Sequence, residues 1–143
     1  MTEFALDKFL PYQLSVLSAR ISREFSDIYR ERFGLSIAQW RVVAHLSQTR
    51  AAVSIREVHQ QVDMDKSKVS RAASRLEARG LVIKETNPSD RRLIELRLSE
   101  QGRELIAEMA PLAQQFGQDY MQRLGAAAPG FCTEIDMLLG KND

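Results

Sequence analysis

The sequence predicts a mostly α-helical protein with a small β-hairpin, and three observations lead to that fold class. Apolar residues recur every three or four positions in several segments, which is the spacing of one face of a helix. Serine or aspartate precedes several of these segments and glycine follows some of them, as expected at helix ends. Between residues 81 and 98 the spacing of the apolar residues shortens to two, and an Asn-Pro-Ser-Asp turn lies in the middle of this stretch. This pattern predicts two strands joined in a hairpin.

The first predicted helix runs from about Leu6 to Phe33, with Pro11 in its first turn and Gly34 at its end. A second helix should begin after Ser36 and a third after Ser54. Each serine has Gln or Glu three residues later, which is the pattern of a capping box. These two helices are short and follow one another closely.

A fourth helix is predicted from Asp65 to about Arg79, with Gly80 ending it. The hairpin strands follow over about residues 81–84 and 93–98. Ser99 should then cap a long helix. A short helix-turn-helix followed at once by a hairpin is the winged-helix arrangement.

The long helix should reach Leu124, and Pro111 should kink it or break it locally. Residues 125–130 predict a break, followed by a short last helix that carries Phe131 and Ile135. We expect a single domain over residues 1–143, in which about 36–99 form the winged lobe. The terminal helices, at about 5–33 and 100–140, carry more apolar residues than this lobe can cover, which predicts an oligomer interface.

The composition excludes several classes of protein. There is no apolar run of about 18 residues, and the acidic N-terminus lacks the basic start of a signal peptide. The single cysteine, Cys132, cannot form an internal disulfide, which suits a reducing compartment. We therefore expect a cytoplasmic protein that does not enter a membrane.

Charge is distributed unevenly, although the formal net charge is only +1. Residues 66–92 hold eight Lys or Arg and three Asp or Glu, so the flanking segments are acidic on balance. In the fourth helix, Val69, Ala72, Ala73 and Leu76 share an apolar face, and the opposite face carries Ser67, Lys68, Arg71, Ser74 and Arg75. Arginine can pair with guanine in the major groove, so this face is a candidate for DNA recognition, with an ordinary solvated surface as the alternative.

The predicted hairpin tip carries two adjacent arginines, Arg91 and Arg92. A protruding basic loop suits a narrow minor groove, where the negative potential is strongest. Asp90 could pair with one of these arginines and orient it. The alternative is a solvated turn without a binding role.

Several stretches resemble the MarR (multiple antibiotic resistance regulator) family of winged helix-turn-helix transcription regulators. Residues 76–82 (LEARGLV) are similar to the end of that family's recognition helix and its first wing strand. Residues 90–92 (DRR) and 96–102 (LRLSEQG) resemble its wing signature, Asp-x-Arg followed by Leu-Thr-x-x-Gly, with Ser99 in place of the usual Thr. Residues 39–43 (QWRVV) look like its second helix, and the likeness extends over nearly the whole chain.

The resemblance implies a homodimer, paired through its terminal helices, that regulates transcription at a palindromic double-stranded operator, in most members as a repressor. It places Arg71 among the base-reading residues and Arg92, with Arg91, in the minor groove. It assigns base or phosphate contacts to Ser67, Lys68, Ser70 and Arg75. Many members release DNA when a small aromatic or phenolic effector binds between the dimerisation helices and the DNA lobes, and others respond to cysteine oxidation.

Tyr12, Phe25 and Trp40 are candidate effector-pocket residues, with ordinary core packing as the alternative. Cys132 is a candidate redox sensor, although no basic residue lies near it in sequence, which favours a packing role. His45 and His59 are too far apart for a local metal pair. No phosphate loop, nucleophile elbow or metalloprotease motif occurs, so we expect no enzyme, metal or cofactor. A winged-helix module that binds another protein instead of DNA remains an alternative.

Overall fold

The computed structural model describes residues 3–141 and confirms a mostly helical fold with a small antiparallel sheet. Residues 1, 2, 142 and 143, which the predicted domain of 1–143 includes, lie outside the described residues. The contacts divide the chain into two compact units, residues 1–109 and 110–143. The helices and strands are α1 (Leu10–Phe33), α2 (Ile37–Leu46), β1 (Val53–Ser54), α3 (Ile55–Gln61), α4 (Lys66–Ala78), β2 (Val82–Thr86), β3 (Ile94–Leu98), α5 (Glu100–Leu124) and α6 (Ala128–Leu138).

The helix ends form as the cap residues predict. Ser36 and Gln39 form both hydrogen bonds of a capping box at α2, with N···O distances of 3.1 and 3.2 Å. The Ser54 hydroxyl accepts from the Glu57 backbone N–H at 3.1 Å at α3. At the end of α1, Gly34 adopts a φ of 64°, the left-handed conformation that ends many helices. Short-range sequence is therefore sufficient to set these boundaries.

The hairpin strands β2 and β3 pair antiparallel, and β1 adds a third strand on the other edge of β3. Val53 of β1 lies opposite Leu96 of β3. The sequence did not predict β1, because two residues are too few to show an alternating pattern. This strand joins the start of α3 to the sheet.

The core of the first unit contains the apolar face of α4, on which the predicted residues Val69, Ala72, Ala73 and Leu76 are all buried. The two alanines allow close approach of α2, and α4 also contacts α3 and β2. Arg79, which caps the C-terminus of α4, donates to the backbone oxygens of Phe33 and Gly34 at 2.8 and 3.1 Å. These contacts satisfy carbonyl groups at the end of α1 and tie α4 to it.

Two predictions about the C-terminal segments need correction. α5 continues as a helix through Pro111, so the local break, one of the two outcomes expected there beside a kink, does not occur. The break predicted at residues 125–130 is limited to a 3₁₀ turn, Gly125–Ala127, after which α6 starts at Ala128. Pro129 lies in the first turn of α6, where no intrahelical N–H bond is lost, so proline there is compatible with a helix.

Gly102 fixes how α5 begins in the first unit. The Ser99 hydroxyl caps the helix by accepting from the Gly102 backbone N–H at 3.1 Å. A Cβ atom on Gly102 would lie 2.2 Å from the backbone oxygen of Leu81 and 3.2 Å from a methyl group of Leu98. Only glycine therefore allows this close contact between α5 and the chain entering β2.

Replacing Gly102 with alanine is expected to destabilise the protein, because the added methyl group meets a backbone oxygen that cannot move away cheaply. Overpacking of this kind costs about 1–3 kcal/mol. The matched control is Gly117→Ala on the same helix, where an added Cβ meets no atom within 4 Å. Gly117→Ala should be neutral or stabilising by up to about 1 kcal/mol. Urea unfolding of both variants measures the difference, and equal stabilities would contradict the packing described here.

Candidate nucleic-acid interface

The fold brings the largest group of predicted site residues together on the outer surface of α4. Asp65 caps the helix by accepting from the Lys68 backbone N–H at 2.9 Å. Because the apolar face of α4 is buried, the opposite face is turned to solvent. The residues exposed there are Ser67, Lys68, Arg71, Ser74 and Arg75, and Ser70 is half-buried at the edge of this face.

A groove of about 290 Å³ runs between the start of α2 and α4. We call it the α2 groove; its lining comprises Ser36, Ala38, Gln39, Lys68, Arg71, Ala72 and Arg75. Three of these seven residues are cations and none is an acid. The groove is therefore an open, positively charged surface along one side of α4.

One predicted site residue, Ser74, already has a partner within the protein. Lys84 of β2 donates from its ammonium group to the Ser74 hydroxyl at 3.2 Å. The contact joins the wing strand to the exposed face of α4 and adds a cation there. Sequence reasoning counted Lys84 in the cationic segment but did not place it at this face.

The wing loop between β2 and β3 is held by its own side chains. The Asn87 side-chain oxygen accepts from the backbone N–H groups of Ser89 and Asp90 at 2.7 and 3.0 Å. The Asn87 amide nitrogen donates to the Glu95 carboxylate. The backbone N–H of Asn87 donates to the Leu93 oxygen at 2.9 Å, which closes the loop.

Asp90 and Arg92 form a two-point pair at the tip of this loop. The guanidinium donates to both carboxylate oxygens at 3.0 and 3.1 Å, and the Arg92 backbone N–H donates to the carboxylate at 3.1 Å. These side-chain and backbone bonds from Arg92 hold the pKa of the Asp90 carboxyl below its usual value, and Arg56 has a smaller effect in the same direction. Because the Arg92 side chain is 89% exposed, the pair orients a guanidinium that solvent or a ligand can reach. Arg91 beside it is also exposed.

A second positively charged cavity, of about 80 Å³, lies where α3, α4 and the wing meet. We call it the wing cleft; its lining comprises Ile55, Arg56, Lys66, Ser70, Arg92, Leu93 and Ile94. Ser70 and Arg92 were predicted site residues, but Arg56 and Lys66 were not. Lys66 could have been found from its place in the cationic segment, whereas Arg56 lies outside it on α3 and only the fold brings it here.

The predicted effector residues are only partly brought together. Phe25 and Trp40 pack edge to face with ring centroids 5.3 Å apart, and both contact Tyr29. These three rings line a small cavity of about 50 Å³ with Ser22, Ile37 and Arg41. Burial raises the pKa of the Tyr29 hydroxyl, a residue that sequence reasoning missed. Tyr12 is not among the lining residues and is 44% exposed, because it lies on a different side of α1 from Phe25.

The remaining candidates have simple surroundings. The Cys132 thiol, half-buried in the second unit, lies 3.5 Å from the Met121 sulfur. Over residues 3–141, no three His, Cys, Asp or Glu side chains are grouped so that they could hold a metal ion. None of the helices described is both long enough and apolar enough to cross a membrane.

Comparison with known proteins gives consistent matches. A sequence profile of the MarR family matches residues 33–93. A putative transcriptional regulatory protein for the hcr operon of Thauera aromatica is 31% identical over 85 residues, which are 59% of this chain and 47% of that protein. The chain thus spans about half the length of this curated relative.

Solved structures of similar fold cover almost the whole chain. BpsR of Bordetella bronchiseptica, whose DNA binding is regulated by 6-hydroxynicotinic acid, is 25% identical with a TM-score of 0.82, over 99% of this chain and 100% of its own. A MarR family regulator from Silicibacter pomeroyi is 27% identical with a TM-score of 0.76, over 95% and 99% of the two chains.

The region matched by the family profile contains α2, α3, α4, β2 and the wing loop, and so every residue that lines the two charged cavities except Ile94. The resemblance inferred from the sequence is therefore confirmed. The chain has the fold of the MarR family of winged helix-turn-helix regulators, and residues 33–93 match the sequence profile of that family.

Proposed function

We propose that this protein is a sequence-specific regulator that binds double-stranded DNA as a homodimer, without catalysis, and represses transcription by occupying a promoter. The observation that carries the proposal is the exposed face of α4. That face combines three cations with serine hydroxyl groups and has no acid, on a helix whose other face is fixed in the core. Because the proposed target is chromosomal DNA, we expect the protein to act in the cytoplasm.

In this proposal α4 enters the major groove and Arg71 reads a base edge. A guanidinium can donate two hydrogen bonds to one guanine, which distinguishes it from the other bases. Ser67 and Ser74 lie on the same outward face and can take base or phosphate contacts. Lys68, Ser70 and Arg75 lie toward the sides of the helix, where the backbone phosphates of the groove walls would be.

The wing supplies the second contact, in the minor groove. A narrow minor groove attracts arginine because its negative potential is enhanced. The Asp90 pair holds the guanidinium of Arg92 in one orientation before binding, which reduces the entropy lost when the wing docks. Arg91, which is also exposed, would enter the same minor groove.

A second copy of the chain is proposed to cover two apolar surfaces. On α1, Leu10, Leu14 and Leu17 share one face and are 56%, 50% and 42% exposed. On α6, Phe131 and Ile135 are each 40% exposed. Apolar stripes of this kind are typical of an obligate interface. Two-fold symmetry then predicts a roughly palindromic operator.

The aromatic cavity is the proposed effector site. Its rings and Arg41 suit a small aromatic acid, and the DNA binding of the similar BpsR is regulated by such a compound, 6-hydroxynicotinic acid. A cavity of about 150 Å³ holds benzene, so the 50 Å³ found here must widen before a ring can enter. Widening would separate Phe25 on α1 from Trp40 on α2, which moves the DNA-binding elements and releases the operator.

Replacing Arg71 with alanine is expected to weaken binding to the preferred operator by about 1–3 kcal/mol per half-site and to relax preference at one base pair in each. Fluorescence anisotropy with operator variants at that position measures both effects. Arg23→Ala, which removes an exposed arginine of α1, is the control and should bind like wild type. If Arg71→Ala binds every operator variant as wild type does, α4 does not read bases through this residue.

Charged substitutions on α1 are expected to break the dimer. Leu14→Glu would place a carboxylate in the proposed apolar interface, and sedimentation should show a shift from dimer to monomer. Ala19→Glu is the matched control, because Ala19 is exposed and lies half a turn round the helix from Leu10 at about 100° per residue. Ala19→Glu should remain dimeric. A dimer that survives both changes would show that this face of α1 is not the interface.

Effector binding should change the emission of Trp40, the single tryptophan of the chain, because it forms a wall of the cavity. Titration with 6-hydroxynicotinic acid and hydroxybenzoic acids is expected to give a saturable change over the range that releases DNA. Phe25→Leu should alter this affinity, whereas Tyr12→Leu should not. Acids that release DNA without changing Trp40 emission would place the effector site elsewhere.

A further inference from the structure

Two of the three cations that line the wing cleft, Arg56 and Lys66, have no role in the proposed function. Arg56 on α3, Lys66 at the start of α4 and Arg92 of the wing loop all line it, with the Ser70 hydroxyl among them. No acid is among the seven lining residues. The apolar residues that line it are Ile55, Leu93 and Ile94.

The carboxylate that pairs with Arg92 of this cleft, Asp90, is already occupied. Both oxygens of Asp90 accept from the guanidinium of Arg92, so its charge is balanced mainly by that residue. Over residues 3–141, the side chains of Arg56 and Lys66 have neither a hydrogen bond nor an ion pair. Two positive charges therefore face the cleft without a hydrogen-bonded partner.

The position of the cleft on α4 indicates what kind of anion it meets. Lys66 and Ser70 lie on one side of the helix. Arg75, in the α2 groove, is nine residues from Lys66 and so lies on the opposite side at about 100° per residue. A helix in the major groove has one sugar-phosphate backbone on each side, so each cavity would face one strand.

We propose that the wing cleft binds a backbone phosphate of duplex DNA, and that Arg56 and Lys66 are the residues that hold it. The assignment rests on the proposed DNA binding, and it adds Arg56 and Lys66 to that function as phosphate-binding residues. Ser70 donates a hydrogen bond to the same phosphate, and the Asp90–Arg92 pair stays intact beside it. The outward face of α4 is then left for base contacts, with phosphates held on both of its sides.

The test replaces one operator phosphate at a time with an uncharged methylphosphonate and measures affinity for wild type, Arg56→Gln and Lys66→Gln. In wild type, one position in each half-site should weaken binding. In each variant the methylphosphonate at that position should cost less affinity than in wild type, because one cation and Ser70 still contact the phosphate. Both variants should also bind operator and unrelated duplex more weakly by the same factor, with a salt dependence shallower by about one charge per half-site. Arg23→Gln and Lys8→Gln are matched controls on exposed sites.

The outcomes separate this assignment from the proposed function. If the wild-type protein binds no duplex, the proposed function fails and the assignment with it. If wild type binds but both variants match it at every phosphate, the assignment alone is overturned. A separate experiment titrates inorganic phosphate into the free protein and follows the Arg56 side-chain N–H by NMR. A saturable shift that Lys66→Gln abolishes, without any effect of the variants on DNA affinity, would overturn the DNA assignment in favour of a free phosphate site.

Discussion

The packing of α4 is the constraint on which the rest of the structure depends. Val69, Ala72, Ala73 and Leu76 bury one face of this helix, and the two alanines let it lie close to α2. Once that face is fixed, the side chains opposite it can only be turned outward, and those beside it form the α2 groove and the wing cleft. The chemistry of the candidate interface therefore follows from the core, because burying small apolar residues determines where Lys68, Arg71 and Arg75 are presented.

Contacts around α4 connect that surface to the rest of the first unit. Arg79 joins the end of α4 to the carbonyl groups at the end of α1, one turn beyond Tyr29 of the aromatic cavity. Lys84 joins the exposed side of α4 to the wing strand. A movement of α1 at the proposed effector cavity would therefore act on α4 through a hydrogen-bonded contact, and a movement of α4 would act on the wing.

What could be predicted from the sequence was local. The caps at Ser36, Ser54 and Asp65 depend on residues three positions apart, and the two faces of α4 follow from helical spacing alone. The hairpin followed from the change in spacing, and Asp90, Arg91 and Arg92 were identified at its tip from the sequence itself. The family resemblance added the effector and the roles of individual residues. Arg56 and Tyr29 were missed because their roles arise from contacts between α3 and the wing and between α1 and α2. Tyr12 was grouped with Phe25 because both are aromatic. The two residues are 13 positions apart on α1, so their side chains point to different sides of the helix.

The central claim is that a symmetric pair of α4 helices reads duplex DNA, and selection of bound sequences from a random duplex library tests it most directly. The experiment uses the purified full chain at moderate salt. The account predicts enrichment of an inverted repeat whose half-site centres lie one helical turn apart, about 10–10.5 base pairs, or a multiple of that distance. A bound pool with the same sequence distribution as the input library would contradict it.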